Sequence, residues 1–208
     1  MYTAIYASIG TTDMVTRAAA ATFGTLLILS LGAACASKSD TPAQPTPKIT
    51  ADTSPITDSG PYWCDVFPQQ AIRKISGLTI PLEESIDGVP ATHGGCILKN
   101  EYTRFSLNWS TRGGDEALEL ARKNFGRHQL TELPADLGEG LVAYTRDLPI
   151  TNPYVAFILF RCGDKRPWMG IDFSEVAAGR NVVTDSIELL RIARNRYGKL
   201  HNCSPKGT

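Results

Sequence analysis

The segment 62–208 is predicted to fold as one α+β domain, in which helices cover a mainly antiparallel sheet. Apolar and polar residues alternate in short runs, as at Phe105, Leu107 and Trp109, which is the period of a half-buried strand. Other stretches carry apolar residues at helical spacing. Because consecutive strands are joined by short turns, antiparallel pairing is favoured over the βαβ order of α/β folds.

The first predicted helix spans about 68–77. Pro68 suits the first helical position, where its missing N–H needs no partner, and Gly77 suits the position at which a helix stops. The stretch 81–90 contains two prolines, a glycine and three acidic residues. It is therefore predicted to be a solvated, turn-rich loop.

Two strands and a second helix come next. Cys96–Lys99 is predicted to be a strand, and 103–109 is predicted to be another because its side chains alternate between apolar and polar. The chain then breaks at two glycines. The following helix carries Leu118, Ala121 and Phe125 on one face, which is expected to pack on the sheet.

The last third of the chain predicts three strands and a helix. Strands are expected at 141–145, at the apolar run 154–161 and at 168–173, where apolar residues alternate again. The turn 163–167 would join the last two strands in a hairpin. Apolar residues at helical spacing predict a final helix over 183–197.

The first 35 residues have the order of a secretory signal. Arg17 supplies a positive charge, residues 18–35 are uncharged with an apolar centre, and small residues precede Cys35. Met14 lies just before Arg17 and gives a start of more usual length. We therefore expect translation to begin at Met14.

Gly32-Ala33-Ala34-Cys35 resembles the lipobox of bacterial lipoproteins, although Gly32 stands where that family most often has leucine. The resemblance implies that the Cys35 thiol is lipidated and that residues 1–34 are removed as a signal peptide. Acyl chains such as palmitate would then hold the protein on the extracytoplasmic side of the cell membrane. Two alternatives stay open. One is an ordinary signal peptide with a different cut, and the other is an uncleaved anchor, because Ala18–Ala36 is long enough to span a bilayer.

Residues 35–61 are predicted to form the lipidated cysteine and a disordered tether. After Cys35 the segment contains five prolines and many serine, threonine and aspartate residues, with few large apolar ones. Such a composition buries too little surface to offset the entropy of ordering the chain. An interdomain linker would have the same composition, but no upstream domain is predicted.

Four cysteines follow the tether, at Cys64, Cys96, Cys162 and Cys203. An even number in an exported chain predicts two disulfides, for which three pairings exist. We favour the sequential pairing, Cys64–Cys96 with Cys162–Cys203, because each bond then ties a helix end to a strand. A metal site is not expected, since there is no CxxC motif and the three histidines are scattered.

The chain resembles a family of actinobacterial lipoproteins of unknown function over about residues 30–203. The shared features are the lipobox, the tether, Cys64 just before a short helix, Cys96 at the start of a strand and a late cysteine pair. The resemblance implies a PsbP-like α/β/α sandwich and brings no catalytic residues with it. The last cysteine of that family usually precedes the final helix, whereas Cys203 follows it, so the second pairing stays open.

Few side chains suggest chemistry. No GxSxG motif or phosphate-binding loop occurs, and His93 is predicted to be a loop histidine beside a disulfide. Six aromatic residues are candidates either for a ligand pocket or for ordinary core packing. They are Trp63, Trp109, Trp168, Tyr102, Tyr144 and Tyr154.

The charge balance argues against nucleic-acid binding, since 21 basic residues are matched by 21 acidic ones. We expect a non-enzymatic lipoprotein of the cell envelope that needs no cofactor and binds a partner protein or a small envelope ligand. One alternative is a carrier of an apolar ligand such as a lipid, which would require a large apolar cavity. A hydrolase is a further alternative.

Overall fold

The computed structural model describes residues 52–78, 81–89, 92–101, 103–125, 130–145 and 152–207. The predictions for the signal peptide, for Cys35 and for the tether up to residue 51 concern residues outside these ranges. Within them the chain is an α+β domain, in which a seven-stranded antiparallel sheet packs against three helices. This agrees with the predicted fold class.

The elements follow the predicted order, with additional strands. They are β1 (Tyr62–Trp63), β2 (Phe67–Pro68), α1 (Gln69–Ser76), β3 (Glu83–Val89), β4 (His93–Lys99), β5 (Arg104–Ser110), α2 (Gly114–Phe125), β6 (Leu130–Glu132), β7 (Glu139–Tyr144), β8 (Tyr154–Leu159), β9 (Arg161–Cys162), β10 (Trp168–Phe173), α3 (Val182–Leu200) and β11 (Pro205–Lys206).

The strands of the main sheet lie in the order β3-β4-β5-β10-β8-β7-β6, and every neighbouring pair is antiparallel. At its centre, Ile171 of β10 pairs with Leu107 of β5 on one side and with Ala156 of β8 on the other. The predicted hairpin of β8 and β10 is confirmed. The short strands form two further pairs, β1 with β2 and β9 with β11.

Helices pack on both faces of the sheet. The side chains of each strand alternate between the two faces, and apolar side chains occur on both. Met169, Ile171 and Phe173 of β10 belong to the main core, together with apolar residues of α1 and α3. On the other face, Leu118 of α2 packs in a smaller cluster with Leu159 and its neighbours on β7 and β8. The sheet is therefore the middle layer of three.

The second face is covered unevenly. α2 packs on β7 and β8, which we call the covered half of the sheet. On β3 and β4, which we call the open half, His93 and Lys99 on the same face are exposed and Ile97 is half-buried. The open half is thus packed mainly through its other face, where Cys96 and Leu98 are fully buried.

The helix ends agree closely with the sequence signals. Gly77 adopts a left-handed conformation with φ of 73° and donates its N–H to the Arg73 carbonyl, which ends α1 as predicted. Pro68 is the residue before α1 rather than its first residue. The Asn181 side chain accepts hydrogen bonds from the N–H groups of Val183 and Thr184, and this caps α3.

The loop predicted at 81–90 is wrong, because Glu83–Val89 forms strand β3. It pairs with β4 from Glu83 opposite Lys99 to Val89 opposite His93. Gly88 is typical of a turn, but here it has φ of 89° within the strand, and an added Cβ would lie 2.6 Å from the Gly94 Cα atom. The glycine therefore allows two strands to approach closely, and pairing with β4 satisfies the inner side of the backbone of a strand whose side chains are all exposed.

The tether predicted up to residue 61 ends earlier than expected. Residues 52–61, which we call the docked segment, contact the domain through Ile56, which is buried in the main core. The Arg180 guanidinium donates hydrogen bonds to the Asp52 and Ser54 carbonyls, at 2.5 and 3.0 Å. Lys74 forms an ion pair with the Asp52 carboxylate at 3.3 Å. One apolar side chain and several charged contacts therefore order a segment whose average composition predicts disorder.

Both disulfides are present. Cys64 is joined to Cys96 and Cys162 to Cys203, with Cα–Cα distances of 6.0 and 5.5 Å. This is the sequential pairing favoured from the sequence. Disulfides are typical of domains that fold outside the cytoplasm. Among the described residues, none of the helices combines the length and the apolar character that crossing a membrane requires.

Candidate functional site

The aromatic candidates do not converge on one pocket. Trp63 belongs to the main core, and Trp109 packs against it at the end of β5. Trp168 lies on the other face of the sheet, where it stacks on Phe157 with ring centroids 5.3 Å apart. Tyr154 stacks on Phe173, at 5.3 Å, beside the main core. Tyr144 is partly exposed at the end of β7, and Tyr102 lies outside the described residues.

Trp109 instead forms the floor of a small cleft where the end of α3 crosses the sheet. The floor also contains Leu107 and Met169, and the cleft volume is about 80 Å³. One wall is formed by Cys64, Asp65 and Val66, and the opposite wall by Tyr197, Leu200 and His201. Ile86 of β3 lies at the rim. The fold brings these residues together from five separate segments of the chain.

Gly94 leaves the space that the Trp109 ring occupies in this floor. A Cβ atom at Gly94 would be 2.3 Å from Cζ2 of the indole and 2.7 Å from Cη2. Only a residue without a side chain leaves this space on β4. The glycine beside His93 therefore serves packing, and His93 itself lies exposed on the opposite face with its Nδ1 atom 3.0 Å from the Thr92 hydroxyl.

One wall of the cleft is held by covalent and polar contacts. The Cys64 N–H donates to the Glu84 carboxylate at 2.7 Å, and the Cys64 sulfur is bonded to Cys96. The Asp65 carbonyl accepts hydrogen bonds from Nε and Nη2 of Arg196 at 3.1 and 3.0 Å. These contacts hold Cys64 and Asp65 in left-handed conformations, with φ of 53° and 58°, which non-glycine residues seldom adopt.

Aromatic contacts hold the opposite wall. The Tyr197 ring packs edge-on against Phe160 with centroids 5.5 Å apart, and the His201 ring lies 4.0 Å from that of Tyr197. Burial raises the pKa of Tyr197 and lowers that of His201, and the positive charge of Lys165 lowers the His201 pKa further. Both side chains are therefore uncharged near neutral pH, so neither places a charge on this wall of the cleft.

The rim of the cleft exposes large apolar side chains. Ile86 is 52% exposed on β3 and Leu200 is 50% exposed at the end of α3. An apolar floor between two exposed apolar rim residues gains free energy when another surface covers it. This combination marks the cleft as the candidate binding site.

The chemistry available beside the cleft is limited. Glu84 lies near Cys64 and Cys96 in a group whose ligand atoms are within 4.8 Å of one another. Because the two sulfurs form a disulfide, they offer no thiolate to a metal ion. We therefore assign Glu84 the structural role of accepting the Cys64 N–H.

A second concavity lies on the other side of the α3 end, with a volume of about 440 Å³. Its lining is Asn195, Gly198, Lys199, Asn202, Cys203, Ser204 and Pro205. The Lys199 ammonium in this lining lies 3.7 Å from the Asp58 carboxylate of the docked segment. This surface is polar and lacks the aromatic floor of the smaller cleft.

The comparisons with protein-family models, curated proteins and solved structures found no match to the chain.

Sequence reasoning missed the cleft because its rim residues carry weak signals. Ile86 is a single apolar residue within an acidic stretch, and Leu200 follows Tyr197 at helical spacing beyond the predicted end of α3. Such residues stand out only when the structure shows that they are exposed and face one another across an aromatic floor.

Proposed function

We propose that this chain is an extracytoplasmic lipoprotein of the cell membrane, cut before Cys35 and held there by lipid, whose domain binds a partner protein. The signal-like order of residues 1–34 and the two disulfides support this location. A sheet with helices on both faces is compatible with the PsbP-like sandwich of the lipoprotein family that the sequence resembles, so this likeness belongs to the same proposal.

The shape of the cleft carries the proposal of a protein partner. Sites for small molecules usually enclose about 300–1,000 Å³ and bury most of the ligand. The cleft holds about 80 Å³, with a half-buried tryptophan in its floor and two half-exposed aliphatic residues at its rim. Protein interfaces concentrate binding energy at such points, where one anchoring side chain enters an apolar pocket. No comparable observation favours an apolar-ligand carrier or a hydrolase.

The lipid anchor can be tested with Cys35→Ala. We expect the parent chain in the membrane fraction with an acylated N-terminal cysteine by mass spectrometry, and the variant without acylation. Ser37→Ala is the control, and it should be processed like the parent chain. The anchor proposal is wrong if parent and Cys35→Ala chains are both membrane-bound, uncleaved and without lipid.

The cleft can be tested by placing a photo-crosslinking phenylalanine analogue at Leu200 in cells that express the full chain. Leu120, which is 45% exposed on α2, is the control position of similar exposure. We expect a discrete adduct with one protein from position 200 and none from position 120. Adding Ile86→Asp should abolish the adduct because a charge at the rim opposes apolar contact. Equal adducts from both positions would contradict binding at the cleft.

A further inference from the structure

Strand β3 is an open edge of the sheet, directly beside the cleft. Among the described strands it pairs with β4 alone, and all seven of its residues are exposed. An edge strand presents unpaired N–H and C=O groups along its outer side, and these can pair with a further strand. Ile86 belongs to this strand and to the cleft rim at once, so a strand added here would adjoin the candidate site.

The opposite edge of the sheet is much less suited to pairing. β6 contains three residues, and its Glu132 forms an ion pair with Arg122 of α2 at 2.8 Å. Short, charged edge strands resist the addition of another chain. The length of β3 therefore distinguishes the edge that adjoins the cleft from the edge that does not.

The charged side chains of β3 are all acidic. The strand carries Glu83, Glu84 and Asp87 and no basic residue. Two copies of β3 paired at their edges would bring the three carboxylates of each strand close together, which opposes self-association. A basic strand would have the opposite effect, because its cations would lie beside these carboxylates.

The side chains of β3 alternate between the two faces of the sheet, and this alternation predicts the residue pattern of a strand added beside it. Ile86 pairs with buried Cys96 and so faces the α1 and α3 side, whereas Ser85 and Asp87 face the other side. An added residue beside Ile86 would reach the cleft rim, and its two neighbours would lie beside Ser85 and Asp87. An apolar residue between basic residues satisfies both positions.

From this geometry we infer that the partner binds by adding an extended basic segment to the edge of β3, with an apolar side chain directed at the cleft. The inference rests on the proposed function and names the chemistry of the partner. Main-chain hydrogen bonds would supply affinity, and the carboxylates with the apolar rim would supply selectivity.

The probe is a synthetic peptide of alternating lysine and valine, as long as β3 and carrying a fluorophore. Its anisotropy is measured with the full chain purified in detergent. We expect saturable binding, with hydrogen exchange slowed in the amides of β3. Two control peptides should bind at least about tenfold more weakly. One has glutamate in place of lysine, and the other has alternate backbone nitrogens methylated, which removes strand pairing but keeps the charge.

Matched variants of the chain distinguish the effect of charges on the β3 edge from the effect of the net charge of the protein. Glu83→Lys with Asp87→Lys should weaken binding at least about tenfold. Glu116→Lys with Glu119→Lys makes the same change of net charge on exposed α2 residues and should leave binding within about twofold. If the charge-reversed β3 variant does not fold, Glu83→Gln with Asp87→Asn should weaken binding in the same direction. Equal binding of the methylated peptide, or equal loss in both charge variants, overturns the inference.

The two proposals fail in different ways. If the adduct from position 200 persists when β3 carries Glu83→Lys and Asp87→Lys, the cleft binds a partner but strand addition is wrong. If the peptide binds β3 but position 200 yields no discrete adduct, the edge accepts a strand while the proposed partner site at the cleft is wrong.

Discussion

The covered half of the sheet and its open half differ in how their second face is packed. In the covered half, Leu141 of β7 and Leu159 of β8 are almost fully buried beneath α2, and the other face of these strands lies under the main core. In the open half, β3 is exposed along its whole length. Because apolar burial dominates folding stability, the covered half should contribute most of the stability of the sheet. The open half should contribute less stability but more surface that is accessible to a partner.

The largest difference is expected from truncating buried side chains. Phe157→Ala in the covered half removes a side chain that is 4% exposed and stacks on Trp168. It should lower the free energy of unfolding by about 3–5 kcal/mol in urea denaturation. Ile97→Ala is the corresponding truncation in the open half, although of a smaller side chain, and should cost less than about 1 kcal/mol because Ile97 is half-buried. Similar losses would break the distinction between the halves.

The disulfides sharpen the same comparison. They close loops with sequence separations of 32 and 41 residues, so replacing either pair by serine should cost about 2–4 kcal/mol. Their local effects should differ. Loss of Cys64–Cys96 should accelerate hydrogen exchange in β3 and β4, whereas loss of Cys162–Cys203 should not. Faster exchange of β3 and β4 in both variants would show that the open half has no separate local stability.

A smaller effect is expected where the docked segment is held. The side chain of Arg180 is 3% exposed and forms an ion pair with Asp185 at 2.6 Å, in addition to its bonds to the docked segment. Arg180→Gln should lower the free energy of unfolding by about 2 kcal/mol and increase proteolysis near residue 54. The control is Arg191→Gln, which removes a more exposed pair with Asp136 and should cost less than about 1 kcal/mol. If proteolysis near residue 54 is unchanged in the Arg180 variant, then Arg180 does not hold the docked segment on the domain.

The smallest effect is expected from pH at the cleft. Burial and Lys165 lower the His201 pKa below its usual 6.5, so the folded state favours the neutral ring more than the unfolded state does. The unfolded state then binds more protons between these two pKa values. This contribution to stability is complete above about pH 6.5 and is lost as the pH falls through the lower pKa of the folded state. Urea titrations across this interval should show that the free energy of unfolding increases with pH, and His201→Gln should remove this increase.

Periodicity predicted the helices and most sheet strands because their side chains either alternate or repeat at helical spacing. The failures have local physical causes. β3 was missed because glycine and acidic residues are typical of turns, yet Gly88 is needed where β3 passes close to Gly94. The docked segment was missed because the effect of one buried residue, Ile56, disappears in an average over many polar ones.

The candidate site was less predictable than the fold. Trp109 was identified from its sequence as a possible binding aromatic, but its partners in the cleft come from residues near 65, 86 and 200. Their proximity follows from strand order and from the position of α3 over the sheet. Neither property is contained in the local spacing of residues.

The two ends of α3 contact different parts of the domain. Arg180 latches the docked segment just before the helix begins, and Leu200 with His201 forms a cleft wall where it ends. A helix of 19 residues is about 28 Å long, so the point at which a pull from the N-terminal side enters the domain is remote from the cleft. A pull on the N-terminal side would therefore act first on the hydrogen bonds between Arg180 and the docked segment. If a lipid anchors the chain as proposed, a pull through the docked segment would act at one end of α3, whereas the proposed partner site lies at the other end.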